Sequence, residues 1–357
     1  MIKAPRHITE INPYVPGKPI EELERELGIK GSIKLASNEN PLGPSPHAVA
    51  EAQKVIASVN RYPDGGSYRL ISALSAHLNV RQEEIIIGHG SNELLDIAAR
   101  TFMLPGDEAV MGHPSFVVYP NSTQKVNGVP VKVALTSDKR HDLRAMADKI
   151  TPKTKIVFIA NPNNPTGTIV TTDEFDAFMD SIRDDILVVI DEAYFEYVTD
   201  TMYADSMKHF RGGKTVLILR TFSKIYGLAG LRIGYGVANP KIIAEMNKVR
   251  EPFNTNSLAQ AGAVAALTDT EHVTRSVALN EAGKAFLYEE LTKMNLDFTK
   301  THANFIYIDI KKDAKEVYKK MLQKGMIVRP MGENALRVTV GLPKENETFI
   351  RIFKEVI

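Results

Sequence analysis

Lys155–Gly167 reads KIVFIANPNNPTG, Ile186–Tyr194 reads ILVVIDEAY, and Thr215–Lys224 reads TVLILRTFSK. Each segment opens on a short β-branched apolar run and ends in polar residues. A run that brief, without the alternation of a half-exposed strand, fits a strand buried on both faces. Between the first two lies Thr172–Arg183, which begins Thr-Asp-Glu and sets Phe175 and Phe178 inward, a helical pattern. Strands alternating with helices predict an α/β fold with a parallel sheet covered on both faces. Outward from this centre, Glu84–Gly88 (EIIIG), Glu108–Met111 and Ile233–Ala238 read as further strands. Ser91–Phe102 reads as a helix with Leu94, Leu95, Ala98 and Phe102 on one face and Ser91 as its N-cap.

After Arg250 the rhythm changes. A long helical stretch, Leu258–Met294, breaks only near Asp269-Thr270; then come NFIYIDI at Asn304–Ile310 and a helix at Asp313–Lys324. Short strands at Met326–Arg329 and Leu336–Val340 and a last helix from Lys344 complete it. Residues 256–357 therefore read as a smaller αβ domain, residues 41–255 as the large domain, and residues 1–40, rich in Pro and Asn, as an extended arm joining the small one.

The composition narrows the function. The 357 residues carry 44 Lys+Arg against 43 Asp+Glu, a net charge of +1 that leaves no general electrostatic footprint for nucleic acid or an acidic membrane. With no cysteine, disulfides and thiolate chemistry are excluded. No apolar leader or membrane-spanning run is read, so the expectation is a soluble, cytoplasmic protein. The histidines show no metal-ligand spacing, so no metal is expected. Gly213-Lys214-Thr215 mimics a phosphate loop, but Lys208 stands where that loop needs glycine, and the segment precedes a strand.

In an open parallel sheet, ligands bind beyond the carboxyl ends of the strands. Here those ends offer Gly88-His89-Gly90-Ser91-Asn92 at a helix start, Asn164 in a turn, Asp191 with Tyr194, and Thr221, Ser223, Lys224 and then Arg232. Gly90 and Ser91 at a helix N-terminus, with Thr221, Ser223 and Arg232, suit an anion. A lysine desolvated beside a cation has its pKa lowered toward nucleophilic use. A carboxylate at the mouth of a buried strand needs a positive partner, which a protonated ring nitrogen supplies. A phosphorylated ring that condenses with lysine and carries such a nitrogen is pyridoxal 5′-phosphate.

NPNNPTG, DEAY and TFSKIYGLAGLRIGY, in that order and spacing, resemble the fold-type I pyridoxal-phosphate aminotransferases, from Asn38 to about Gly341. Among them, NPYVPGK around Tyr14, SNENPLGPS at Ser37–Ser45, RYPD at Arg61–Asp64 and REPFNTNSLAQ at Arg250–Gln260 look most like the histidinol-phosphate aminotransferases. The resemblance implies a large domain with a mostly parallel sheet of the seven-stranded type. It makes Lys224 the covalent anchor of the cofactor and the general acid/base. It pairs Asp191 with the pyridinium nitrogen, sets Tyr194 and Asn164 on the ring's 3′-oxygen and stacks Phe116 on the ring. It gives the phosphate to Gly90, Ser91, Asn92, Thr221, Ser223 and Arg232, although many relatives carry an acidic residue where Asn92 stands. Tyr62 would reach the phosphate of a neighbouring subunit, making a homodimer. Arg337, Arg329, Tyr14 and Asn164 would hold substrate. The implied reaction moves the amino group of histidinol phosphate to 2-oxoglutarate, giving imidazole acetol phosphate and glutamate in histidine biosynthesis. The alternatives are an aromatic amino-acid aminotransferase, a threonine-phosphate decarboxylase or a non-catalytic binding module.

Overall fold

The computed structural model describes residues 2–14 and 16–357. Thirteen strands run β1 (Ile33–Lys34), β2 (Ile85–Gly88), β3 (Glu108–His113), β4 (Val129–Ala134), β5 (Thr154–Ala160), β6 (Leu187–Asp191), β7 (Val216–Thr221), β8 (Gly234–Ala238), β9 (Asp297–Phe298), β10 (Phe305–Asp309), β11 (Met326–Ile327), β12 (Arg329–Met331) and β13 (Ala335–Thr339). Seven form one sheet, ordered β2-β8-β7-β6-β5-β3-β4, in which only β8 runs antiparallel to its neighbours. Along β6, Val188 and Ile190 enter one apolar cluster while Leu187 and Val189 enter another on the opposite face. That two-sided burial is why these strands read as unbroken apolar runs. The predicted strands of this sheet all stand within two residues of their expected ends.

The exception is β4, which the sequence reading passed over. It lies at the sheet edge, reads VPVKVA, and leaves Val129, Lys132 and Ala134 exposed. Pro130 cannot donate to a ladder, which an edge strand tolerates on its open side.

A second, antiparallel sheet, ordered β12-β13-β10-β9, packs with the helices Ala314–Gln323 and Pro343–Val356 around Ile306, Ile308, Leu336, Val338, Phe349 and Phe353. The long helical stretch divides into Ser257–Ala266 and Thr270–Lys293, with Asp269 capping the second. Ala259, Ala263 and Ala266 of the first piece still belong to the core of the large sheet.

The N-terminal arm differs from the extended chain expected. It contains a helix at Ile20–Leu27 and a strand, β1, that pairs in parallel with β11. Pro19 before the helix, Glu21 and Glu22 in its first turn, and left-handed Gly28 at its end are the start and stop signals of a short helix. Its one buried side chain, Leu23, packs with Ala36 and Ile327. The arm thereby becomes part of the second core.

Candidate active site

The carboxyl ends of β2, β5, β6 and β7 open into one cavity. Asp191, Tyr194, Lys224, Asn164, Ser91, Asn92, Thr221, Ser223, Arg232, Phe116, Tyr14 and Arg337 all line it. The chain crossings that bring them together follow from register: Ala160 at the end of β5 lies beside Asp191, and Asp191 lies beside Leu219 of β7. Just behind this line, the buried ion pair between Arg220 Nε and Glu192 Oε2, 2.8 Å, ties the ends of β7 and β6 together.

At one end of the cavity the groups are prepared for an anion. Ser223 Oγ accepts from Thr221 Oγ1 at 3.0 Å and from Arg232 Nη1 at 3.2 Å. All three residues converge on the start of the helix Ser91–Phe102, whose free N–H groups point the same way. The N-cap of that helix is Gly90, with Ser91 its first residue, a correction of one position to the expected cap. Glycine is required: φ is +76°, and a Cβ would lie 2.6 Å from Arg232 Nη2. A Cβ on Gly234 would lie 2.7 Å from the Ser91 N–H nitrogen. Missing side chains at these two positions keep the cradle open.

Farther in, Asp191 is 5% exposed, and burial pushes its carboxyl up to about 6. Its Oδ2 accepts from Tyr119 Oη at 3.0 Å and its Oδ1 from the Ala193 N–H at 3.2 Å. Both bonds favour the ionised form, yet a cation facing Asp191 in the cavity would favour it far more. Lys224 Nζ donates to the Ser37 carbonyl at 3.1 Å. Burial first, then the Arg337 and Arg232 charges, bring its ammonium down to about 8. The result is an amine that is partly neutral near physiological pH, as a nucleophile requires.

Tyr194 Oη accepts from Asn38 Nδ2 at 2.9 Å and from Asn164 Nδ2 at 3.2 Å. Asn164 in turn accepts at Oδ1 from Arg337 Nη1, 2.6 Å, while Arg337 Nη2 donates to the Ala36 carbonyl at 2.7 Å. Arg337 Nε is buried with no hydrogen-bond partner among the described residues, a donor still to be satisfied. Arg329 stands opposite Arg337 in the β12–β13 register, and its guanidinium lies 5.3 Å from the Tyr14 ring centre.

Two side chains of the site lay outside the sequence reading. Tyr119, fully buried, stacks on Phe158 with ring centres 5.0 Å apart and meets Phe116 edge-on at 5.7 Å. It follows Phe116 by three residues, but Phe116 precedes the helix Val118–Lys125, so no helix-face spacing marks Tyr119 in the sequence. Asn38, 1% exposed, gave no signal either. Tyr62 does not line the cavity of its own chain; it is 83% exposed and stacks on Phe253 at 4.7 Å.

Residues 30–353 match the family described as aminotransferase class I and II. The chain belongs to that family. It is 52% identical to the histidinol-phosphate aminotransferase of Moorella thermoacetica over 98% of this chain and 92% of that one. With the protein of the same name from Caldicellulosiruptor saccharolyticus it shares 44% over 98% and 99%. Among solved structures, the histidinol-phosphate aminotransferase of Sinorhizobium meliloti, in complex with pyridoxal 5′-phosphate, superposes with a TM-score of 0.91 at 24% identity, covering 100% of this chain and 99% of that one. This last likeness is one of fold, fold-type I.

The cofactor of this aminotransferase is pyridoxal 5′-phosphate. The cavity fits it on its own chemistry: an anion cradle that a Cβ would fill, a buried carboxylate with no salt bridge among the described residues, and a lysine of lowered pKa. Among the described residues no helix is long and apolar enough to cross a membrane, and no three His, Cys, Asp or Glu side chains cluster as a metal site.

Proposed function

We propose that this aminotransferase takes the amino group from histidinol phosphate and gives it to 2-oxoglutarate, as a step of histidine biosynthesis in the cytoplasm. The names of the relatives at 44–52% identity support that donor over the aromatic amino-acid, decarboxylase and binding-module readings. The observation that carries it is the Arg329–Arg337 pair. Residues opposite each other on antiparallel strands share a face with Cβ atoms roughly 5 Å apart. Two guanidinium groups so placed repel each other unless a strongly anionic ligand joins them, and a substrate phosphate is such a ligand. Tyr14, against Arg329, closes the same corner.

The bound cofactor supplies an electron sink for the carbanion formed when the donor's Cα loses its proton. The chain does the rest. Gly90, Ser91, Asn92, Thr221, Ser223 and Arg232 would hold the cofactor phosphate, and Phe116 would pack against its ring. Asp191 would hold the ring nitrogen protonated, with the Tyr119 hydrogen bond favouring the ionised carboxylate. Tyr194 and Asn164 would fix the ring's 3′-oxygen. Lys224 would anchor the cofactor and move the proton of the donor's Cα, its amine near 8 suiting both the taking and the giving of that proton.

Residues 41–255 act as the cofactor domain and residues 256–357, joined by the arm 1–40, as the smaller one. A homodimer completes the site, Tyr62 reaching the partner's cofactor phosphate. In support, Ile56, Val59, Tyr62 and Tyr68 are each more than half exposed and Phe253 nearly so, and the Tyr62 and Phe253 rings stack on each other at the surface.

The test is a half-reaction. Histidinol phosphate added to the cofactor-loaded protein should bleach its visible band at concentrations far below those needed with phenylalanine. Equal potency of the two donors would favour the aromatic reading.

A further inference from the structure

Asn38 lies where the N-terminal segment threads between the two sheets, with φ of 55°. Left-handed backbone is disfavoured for any residue with a Cβ, and asparagine tolerates it better than most. All its polar groups are engaged. Its N–H donates to Thr339 Oγ1 at 2.9 Å, and Thr339 Oγ1 donates back to Asn38 Oδ1 at 3.2 Å. Asn304 Nδ2 donates to its carbonyl at 3.0 Å. Those bonds all lead to the antiparallel sheet. The remaining one, Nδ2 to Tyr194 Oη at 2.9 Å, leads to the large sheet and the cavity.

The phenol oxygen that receives this bond accepts another from Asn164. A hydroxyl has two lone pairs, so with both occupied its own proton is left to donate into the cavity. Each accepted bond makes that proton more acidic and the donation stronger, against the burial that pushes the Tyr194 phenol up. Both amides are held from β13: Asn164 by Arg337, and Asn38 by Thr339 two residues on, which puts the two holders on one face of the strand.

We propose that Asn38 is a positioning residue that sets the donor strength of the Tyr194 phenol according to where β13 sits, so that any shift of the antiparallel sheet is read at the cofactor's ring oxygen. This rests on the reading above that Tyr194 faces that oxygen. When β13 is in place, Thr339 orients the Asn38 amide, and the phenol donates strongly. When β13 moves, the amide loses its orienting partner and the phenol weakens as a donor. A weaker donor leaves the ring oxygen more basic, so the cofactor's visible band changes with pH at a higher midpoint.

The test compares wild type, Asn38→Gly, Tyr194→Phe and the double variant, each loaded with pyridoxal 5′-phosphate and titrated by visible absorption without substrate. Glycine keeps the left-handed backbone while deleting the amide. Asn38→Gly should raise the midpoint by roughly half a pH unit beside Tyr194 and leave it unmoved in the Tyr194→Phe background. Thr339→Val should raise it less, in the same sense. Equal shifts in both backgrounds, or a lowered melting temperature with an unmoved midpoint, would overturn the proposal. An unmoved midpoint in Thr339→Val would overturn the link to β13. A wild-type protein that develops no visible band would instead overturn the reading of the cofactor site on which this rests.

Discussion

The two ends of the cavity are built by different means. The anion cradle at one end is backbone, buried hydroxyls and one guanidinium: Gly90, Ser91, Thr221, Ser223 and Arg232 come from neighbouring strand ends of one sheet, and Thr221, Ser223 and Arg232 are already hydrogen-bonded to one another. The other end is assembled from long side chains on separate segments: Tyr14 from the arm and Arg337 from β13 line it, and Arg329 from β12 stands behind them against the Tyr14 ring. The first end is rigid and pre-formed; the second holds like charges together and depends on the placement of one sheet against the other. On the proposed reading, cofactor retention belongs to the first end and donor selection to the second, and substitutions should separate them.

Lys224→Ala should break catalysis without breaking the cradle. Turnover should fall by roughly 10⁴-fold or more, since both covalent attachment and proton transfer go. Cofactor should still be retained non-covalently, as judged by equilibrium dialysis. Loss of both together would show that the cradle has no grip of its own.

Arg329→Gln acts at the opposite end. The KM for histidinol phosphate should rise roughly 30- to 100-fold, the worth of charge-assisted bonds to one anion, while cofactor affinity stays put. Gly90→Ala is its mirror image. A Cβ 2.6 Å from Arg232, on backbone with φ of +76°, should weaken cofactor binding roughly tenfold and leave the KM for the loaded enzyme nearly unchanged. A change of KM in Gly90→Ala, or of cofactor affinity in Arg329→Gln, would join the two ends.

The smallest expected effect is one of pH. The folded pKa of Lys224, about 8, lies below that of a free lysine, so burial costs stability while the amine is charged in both states. That cost is fully present below about pH 8 and disappears as pH rises toward the ordinary lysine value. Cofactor capture by the apoprotein needs the neutral amine. Its rate should climb close to tenfold per pH unit below 8 and level off above, as followed by the visible band. A flat profile between pH 6 and 9 would place the Lys224 amine elsewhere.

The rigid end was also the legible one. Apart from Arg232, which stands just before β8, each of its residues follows a β-branched run, so local sequence shows both the strand and what stands at its mouth. Tyr119 escaped because its bond to Asp191 depends on β3 lying next to β5 and β5 next to β6, an order that no local pattern states. Asn38 escaped because its partners are Tyr194 and Thr339, 156 and 301 residues away in sequence. The helix Ile20–Leu27 was hidden for another reason. The surrounding prolines and asparagines suggest extended chain, while a single buried leucine is too little apolar surface to announce a helix. The edge strand β4 was obscured by exposure on its open side.

The central claim is that the second end selects for a substrate phosphate. It is tested most directly by comparing histidinol phosphate with histidinol, the same donor without its phosphate, in the first half-reaction followed at the visible band. The account predicts that histidinol needs at least about a hundredfold higher concentration in the wild type, and that Arg329→Gln removes much of that difference. Equal concentration dependence for the two donors would contradict it.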